Sequence, residues 1–306
     1  MNLLRHLLLR LSTTALTLLC LLVLCLGLLH LAPGGPFDTE KLAPPEVQAA
    51  LAARYRLDQP FVIQVRDYLV AALRGDLGPS FQYPDYSVQE LIAHAAPITL
   101  SLGGLAALLA IALAIPIACG LSATRWGSRL ASAGGLIALA LPKFVLAPLL
   151  ILLFAVTLAW LPAGGFDWTR PQSFVLPVLS LALPQFALLL RALNENLRAA
   201  LLSAPVIAAQ ARGYSKRRVI WRHALPLAIA QSLSFLGPIL IALLTGSAVI
   251  EQVFAIPGLG RYLVQAALNR DYTLLIGAVL TVAVIVALIN LFIDALQYWL
   301  DPRVRG

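Results

Sequence analysis

The chain has 306 residues, of which 60% are hydrophobic and 12% charged, and its formal net charge is +8. So large an apolar fraction excludes an ordinary soluble domain and indicates a multi-pass membrane protein. The apolar runs are long and lack strand-like alternation, so the predicted fold class is all-α rather than a β-barrel.

Six segments contain the roughly 20 predominantly apolar residues that a membrane-spanning helix needs. They are predicted at 10–32, 98–122, 134–160, 174–193, 227–250 and 273–299, within a single membrane domain. Arg5 and Arg10 precede the first segment, as in a signal peptide. Its apolar run is too long for a signal peptide and no small-x-small site follows it, so we interpret it as a retained anchor.

The distribution of basic residues predicts the orientation. With the N-terminus inside, the cytoplasmic segments carry 13 of the 22 Lys and Arg residues and three acids, whereas the outer segments carry eight bases and 11 acids. Both termini are therefore predicted to be cytoplasmic. The net positive charge follows from this topology, and no basic face with interleaved aromatic residues suggests nucleic acid.

The predicted external segment, 33–97, is too long for a simple connector. It should contain helices at 46–56 and 61–74, a turn at 75–79, and a capping box of Ser87 and Glu90 that opens a short helix, 88–95. The helix at 61–74 is amphipathic, with Phe61, Val65, Tyr68, Leu69, Ala72 and Leu73 on one face. The segment could be a lid over the outer surface or a docking ledge for an external partner. A second external loop is predicted at 251–272.

Proline and polar residues within the spans suggest where a path could run. The second to fifth spans contain six prolines, whereas the first and sixth contain none internally, so we expect the second to fifth to surround the interior path. Lys143 is predicted near mid-membrane, where a charge is costly and usually faces a cavity or a partner; snorkelling toward the cytoplasm is the alternative. Gln185, Ser234 and Thr245 are weaker path candidates, since each could simply bond a neighbouring helix.

No enzyme or metal site is predicted. The four histidines and three cysteines have no metal-ligand spacing, and there is no Walker loop, Gly-x-Ser-x-Gly or His-Glu-x-x-His motif. A self-sufficient secondary transporter is the main alternative from another class. It would be expected to carry several intramembrane acids or histidines and an internal repeat, which we do not find.

The predicted cytoplasmic loop, 194–226, is the most informative stretch. Ala208 and Ala209, three residues, Gly213, nine residues, and then a sequence ending in Pro226 form a fixed pattern. Small residues would let a helix lie close against a partner, and Gly213 would permit a chain reversal. Ser215 should cap a second short helix, which Pro226 should close.

This spacing resembles the EAA loop of ABC importer membrane subunits (Glu-Ala-Ala-x3-Gly-x9-Ile-x-Leu-Pro). Other motifs follow in order at 54–60, 75–80, 246–251, 257–260, 269–272 and 301–303, and details at 31–37, 44–47 and 78–88 point to the oligopeptide branch. Over nearly the whole length, the chain is similar to the B-type membrane subunit of oligopeptide and dipeptide ABC importers. Dipeptide, nickel and peptide-antibiotic importers of this family stay open as alternatives.

The resemblance implies a six-span importer subunit in the bacterial inner membrane. Its partners would be a homologous second permease subunit, two cytoplasmic ATPase subunits and an external substrate-binding protein. The chain would bind no cofactor, because ATP and Mg would be bound by the ATPases. The coupling-loop residues would be Ala208, Ala209, Gly213, Ser215, Lys216, Arg217, Arg218 and Pro226.

The loop departs from the family pattern at five positions, of which Asn194 and Ala199 lack an Arg and a Glu that are usual upstream. Ile207 stands at the Glu position, Gln210 replaces a common Arg, and Pro205 replaces an aromatic residue. We therefore expect a coupling helix that is less charged and is kinked at its start. ATPase docking should then depend more on shape and on the three consecutive basic residues that begin at Lys216.

Overall fold

The computed structural model describes residues 3–31, 59–83, 85–122 and 142–300. These ranges contain α-helices, two π-helical segments and no strand, which confirms the all-α prediction. The helices are α1 (Leu3–Leu31), α2 (Phe61–Leu73), α3 (Val88–Leu121), α4 (Lys143–Leu150), α5 (Gln172–Leu201), α6 (Ala204–Ala211), α7 (Lys216–Arg218), α8 (Leu225–Val253), α9 (Leu259–Leu268) and α10 (Tyr272–Leu300). The π-helical segments are Ile151–Thr157, after α4, and Val219–Ala224, between α7 and α8.

Five helical stretches of the described residues are long and apolar enough to cross a membrane. They are Arg10–Leu28, Val88–Leu121, Gln172–Leu201, Lys216–Val253 and Tyr272–Gln297. Each contains or overlaps a predicted span. The remaining predicted span, the third in the chain at 134–160, falls partly outside the described residues. Its described helical part is the shorter apolar stretch Lys143–Thr157.

The third predicted span is not one unbroken helix. Pro142 has extended backbone angles (φ −63°, ψ 140°), and α4 begins at the next residue. A residue that precedes a helix needs no N–H for helical hydrogen bonding, so Pro142 is compatible with the start of α4. The span prediction missed this helix start because apolar composition alone does not register a backbone break.

The predicted end of the short helix 88–95 is wrong. That helix and the span predicted at 98–122 form the single helix α3, which continues through Pro97. The span predicted at 174–193 lies within α5, which continues to Leu201. The predicted helix at 46–56 lies outside the described residues.

The chain divides into two compact units. The first comprises residues 1–98 and 257–287. In it, Leu22 and Leu26 of α1 pack with Ile276 of α10 and with one face of α2. A second cluster joins the start of α3 to α9 and α10, and its members are Val88, Leu91, Ile92, Ala95, Leu259, Ala266 and Leu274.

The amphipathic helix predicted at 61–74 is present as α2. Phe61, Val65 and Tyr68 of its predicted apolar face contact the α1 cluster, as expected. Leu69 and Leu73 are instead exposed. The buried face is therefore narrower than the sequence pattern indicates, because α2 meets its neighbours along only part of that face.

The second unit comprises residues 99–256 and 288–306, and α5 and α8 are its most extensive helix pair. Of the most apolar stretch of each span, 67% of the residues are buried in α5 and 39% in both α3 and the α7–α8 run, against 22% in α10 and 11% in α1. The described part of the third predicted span has one buried residue, Ala147, so proline content and burial do not run in parallel, and the expected path between the second to fifth spans stays a prediction.

Candidate coupling segment and translocation path

The predicted coupling loop is a helix, a tight turn and a second helical run. After α5 ends, Ser203 precedes α6, which ends before Gly213. Gly213 has a φ of +79°, and a Cβ built there would meet no heavy atom within 4 Å. The glycine is therefore required by backbone conformation rather than by lack of space, which confirms the predicted chain reversal.

The second helical run begins with the predicted cap. The Arg218 backbone N–H donates to Ser215 Oγ at 3.4 Å, at the start of α7. Pro226 does not close this helix, however. It lies in the first turn of α8, and helical residues continue without interruption from Lys216 to Val253. Within this continuous run Pro226 cannot donate the usual helical hydrogen bond, and the turn before it, Val219–Ala224, is π-helical rather than α-helical.

The predicted kink at Pro205 is also wrong. Pro205 occupies the first turn of α6, after Ser203 in an extended conformation (φ −77°, ψ 147°). Because α6 begins there, the proline fixes the start of the helix instead of bending it.

The two faces of α6 differ in burial. Val206 and Ala209 are buried within this chain, whereas Ile207 and Ala208 are exposed. The two adjacent alanines therefore have different surroundings: Ala209 packs internally, and Ala208 is accessible. Ile207 is 50% exposed, an apolar side chain on the outer surface of the loop.

Basic and aromatic side chains continue this exposed surface. An open cavity of about 460 Å³ is lined by Ser215, Arg217, Arg218, Trp221 and Arg222. The Arg218 guanidinium lies 4.4 Å from the centroid of the Tyr214 ring, which stacks on His223. Ile207, Ala208, Lys216 and these cavity residues together are called the loop patch below. That Tyr214 and Trp221 belong to this exposed surface was not predicted, because only the fold of the loop brings their rings beside the arginines.

Three of the four predicted path residues lie at or beside one face of α8. Positions 231, 234, 235, 238, 245 and 249 are exposed at helical spacing, and this row is called the α8 stripe. It includes the polar side chains of Gln231, Ser234 and Thr245. The Ser234 and Thr245 hydroxyls donate to carbonyls of their own helix, Gln231 O at 3.2 Å and Ile241 O at 2.9 Å.

Lys143 reaches α8 from the first residue of α4. Its Nζ donates to the Ala242 carbonyl at 3.0 Å. A Cβ built on Gly246 would overlap Lys143 Nζ and would lie 3.3 Å from its Cδ and Cε. Because Gly246 has no side chain, the Lys143 side chain can lie against it. The sequence does not indicate this contact, since the two residues are far apart in the chain.

Gln185 is not brought together with the other path candidates at the surface. It is buried in α5 at 7% exposure, and its Oε1 has no hydrogen-bond partner among the described residues. Its assignment to a path stays a prediction.

Each unit contains a buried carboxylate that accepts hydrogen bonds from a distant part of the chain. Neither carboxylate was predicted from the sequence to have a role. In the first unit, Asp271 is fully buried and accepts hydrogen bonds from Ser80 Oγ, the Gln82 N–H and the Leu274 N–H. It fastens the turn before α3 to the start of α10. In the second unit, Thr99 Oγ1 donates to the fully buried Glu251 at 2.7 Å.

Long apolar helices, with a structured loop between two of them, indicate a multi-pass membrane protein. Residues 106–306 match the family model described as "binding-protein-dependent transport system inner membrane component". The chain belongs to this family, and it is a multi-pass protein of the bacterial inner membrane. Its family role is that of a permease component rather than of an enzyme.

Curated relatives are similar over almost their whole lengths. The chain is 39% identical to the oligopeptide transport system permease protein OppB of Haemophilus influenzae over 292 residues, which cover 94% of this chain and 95% of the relative. It is 37% identical to OppB of Salmonella typhimurium with the same coverage. Identity to the dipeptide transport system permease protein DppB of Bacillus subtilis is 33%, over 98% of both chains.

Proposed function

We propose that this chain is the transmembrane subunit of an ATP-driven importer and forms half of the translocation path for peptides, chiefly oligopeptides. The observation that carries the proposal is the near full-length similarity to proteins named as oligopeptide permeases. The same subunit would have six spans with both termini in the cytoplasm, in keeping with the asymmetry of basic residues.

The complex contains four further components. A homologous second permease subunit supplies the other half of the path, two cytoplasmic ATPase subunits bind ATP and Mg, and an external binding protein delivers the peptide. This chain binds no nucleotide or cofactor itself. ATP binding closes the ATPases, the coupling segments move, and the path changes from inward-facing to outward-facing.

The loop patch is the surface through which this chain receives that movement. Its support is the combination of exposed apolar residues, Ile207 and Trp221, with the basic residues Lys216, Arg217 and Arg218. Apolar area provides affinity and charge provides orientation at such an interface. Gly213 and Ser215 act indirectly, by fixing the turn and the helix start that position the patch.

The α8 stripe is the part of the path that this chain contributes. Polar side chains at exposed positions of an apolar span are disfavoured against lipid, and they are tolerated where a partner subunit or a water-filled path covers them. The Ser234 and Thr245 hydroxyls are satisfied within α8, so the support comes mainly from Lys143, whose ammonium reaches the same helix face at Ala242.

A dipeptide importer is the second candidate, favoured by the similarity to DppB of Bacillus subtilis. The two candidates differ in the length of peptide carried, and not in the role of this chain. Competition of labelled tripeptide uptake by unlabelled dipeptides and pentapeptides separates them, because only an oligopeptide system is inhibited by the longer peptides.

Co-purification tests the assembly part of the proposal. The C-terminally tagged chain is extracted in mild detergent, and the proteins that accompany it are identified. We expect a second permease subunit and ATPase subunits, with ATPase activity in the purified material. Recovery of this chain alone, with ATP-independent transport in liposomes, would contradict the proposal and favour a secondary transporter.

A further inference from the structure

The Lys143 ammonium contacts the middle of α8, within the second unit. Its hydrogen-bond acceptor, Ala242, lies 17 residues after Leu225 and 11 residues before Val253, about 25 Å and 16 Å along the helix at 1.5 Å per residue. Ala242 is thus three residues from the midpoint of α8. A snorkelling lysine would extend toward a membrane surface, whereas this ammonium is held near the centre of a span.

Among the residues that the structure describes, one group accepts a hydrogen bond from the Lys143 ammonium. A lysine ammonium has three donors, and Lys143 uses one, to the Ala242 carbonyl. Among the described residues, no carboxylate lies within the 4.0 Å of an ion pair with it. Lys143 also does not stabilise α4 electrostatically, because a cation in the first turn of a helix opposes the helix dipole.

The surroundings keep the ammonium at the α8 stripe. The space above Gly246 would be closed by any Cβ, and the adjacent Thr245 is an exposed member of the stripe. Lys143 itself is half-buried, so part of its side chain stays accessible. The result is an oriented cation with unused donors, beside the exposed Thr245 and near the middle of α8.

We propose that Lys143 is a specificity-determining residue that binds the carboxylate of a passing peptide. The inference rests on the proposed function, because it places the ammonium on the peptide path. A carboxylate matches the unused N–H donors and neutralises the charge, and charge-assisted hydrogen bonds of this kind are stronger than neutral ones. The carboxylate comes either from the C-terminus of the peptide or from an acidic side chain, and the binding chemistry is the same.

The test uses the complete complex in proteoliposomes, with the binding protein and ATP, and four variants. Lys143→Met removes the charge and keeps a long side chain, whereas Lys143→Arg keeps the charge. Gly246→Ala displaces the ammonium without changing Lys143. Gly237→Ala is the matched control on the same helix, since a Cβ there would make only ordinary contacts, at 3.8 Å or more.

Two peptide pairs report on the carboxylate. One pair compares a free C-terminal carboxylate with a carboxamide, and the other compares Ala-Glu-Ala with Ala-Gln-Ala. Uptake of each peptide is expressed as the ratio of variant to wild type, which cancels the preference of the binding protein. We expect Lys143→Met and Gly246→Ala to reduce uptake of the carboxylate member of one pair about tenfold relative to its neutral partner, the size of one charge-assisted hydrogen bond.

The pair that responds identifies the source of the carboxylate, terminus or side chain. Lys143→Arg and Gly237→Ala should leave both ratios near one. The inference is overturned if Lys143→Met lowers uptake of charged and neutral peptides equally, as a purely structural lysine would, or leaves all uptake unchanged. If the wild-type complex imports no peptide of either pair, the proposed function itself fails.

Discussion

Gly213 offers the sharpest test of how the loop works. Its backbone is left-handed, with φ +79°, and no heavy atom lies within 4 Å of the position that a Cβ would occupy. A substitution therefore introduces no clash with surrounding atoms, and its whole cost is conformational. Gly213→Ala, Gly213→Val and Gly213→Asn separate this cost from side-chain size.

The magnitude follows from the backbone angle. An L-residue pays about 1–2 kcal/mol in the left-handed region, a β-branched residue pays more, and asparagine tolerates the region best among residues with a side chain. A penalty of one or two kcal/mol lowers the population of the native turn by a factor of about 5–30. Coupling should thus decrease in the order Gly, Asn, Ala, Val, with little activity left in Gly213→Val.

The assay measures peptide-stimulated ATPase activity and ATPase co-purification for each variant at equal membrane abundance. Gly120→Val is the control, because Gly120 lies in α3, has no positive φ and also has nothing within 4 Å of a built Cβ. It should retain assembly and stimulation.

Two results would exclude the left-handed backbone of Gly213 as the cause of lost coupling. Normal uptake and stimulation in Gly213→Val would mean that the left-handed turn is not needed. Equal loss in Gly213→Asn and Gly213→Val would mean that any side chain blocks docking, so that surface contact rather than backbone conformation is the cause.

Three further predictions concern single contacts. Ser215→Ala removes the cap of α7 and should weaken ATPase co-purification by an amount corresponding to about 1 kcal/mol, as judged by titration of the ATPase. Gly277→Ala would put a Cβ 2.6 Å from Val88 Cγ1, and this overpacking should lower thermal stability by about 1–3 kcal/mol, as measured by a melting assay in detergent. Thr99→Val removes the buried donor to Glu251 and should cost about 1–3 kcal/mol in the same assay, because the acceptor loses a hydrogen bond.

Each of these three predictions can be contradicted by a specific result. Unchanged ATPase affinity in Ser215→Ala would show that the Ser215 cap does not contribute to ATPase docking. Melting temperatures equal to wild type for Gly277→Ala would contradict the close packing of α3 on α10 in the first unit. For Thr99→Val, Thr99→Ser serves as the control that keeps the hydroxyl, and equal losses in both would exclude the hydrogen bond as the cause.

The sequence predicted the features that depend on local chemistry. Apolar runs of about 20 residues located the spans, because insertion depends on hydrophobicity summed along a helix. The left-handed turn at Gly213, the cap at Ser215 and the capping box of Ser87 and Glu90 were also predictable. In that box, the Ser87 N–H donates to the Glu90 carboxylate at 2.8 Å.

Features that depend on tertiary packing were not predictable. Asp271 and Ser80 are 191 residues apart in sequence, and nothing local in either segment indicates the hydrogen bond between them. The contact of Lys143 with α8 likewise needs two helices to meet. The prolines were misjudged for a different reason. Pro205 begins α6, and Pro226 lies in a helical run that continues through it, and the sequence alone does not distinguish a proline that begins a helix from one that ends it or lies within it.

Peptide uptake by the reconstituted complex, measured with and without this chain, tests directly whether the chain is an importer subunit. An importer subunit requires that uptake of labelled oligopeptides depends on ATP, the binding protein and this chain together, and that it stops when any one is omitted. Uptake that persists without ATPase subunits, or that proceeds equally well when this chain is left out, would show that the chain is not such a subunit.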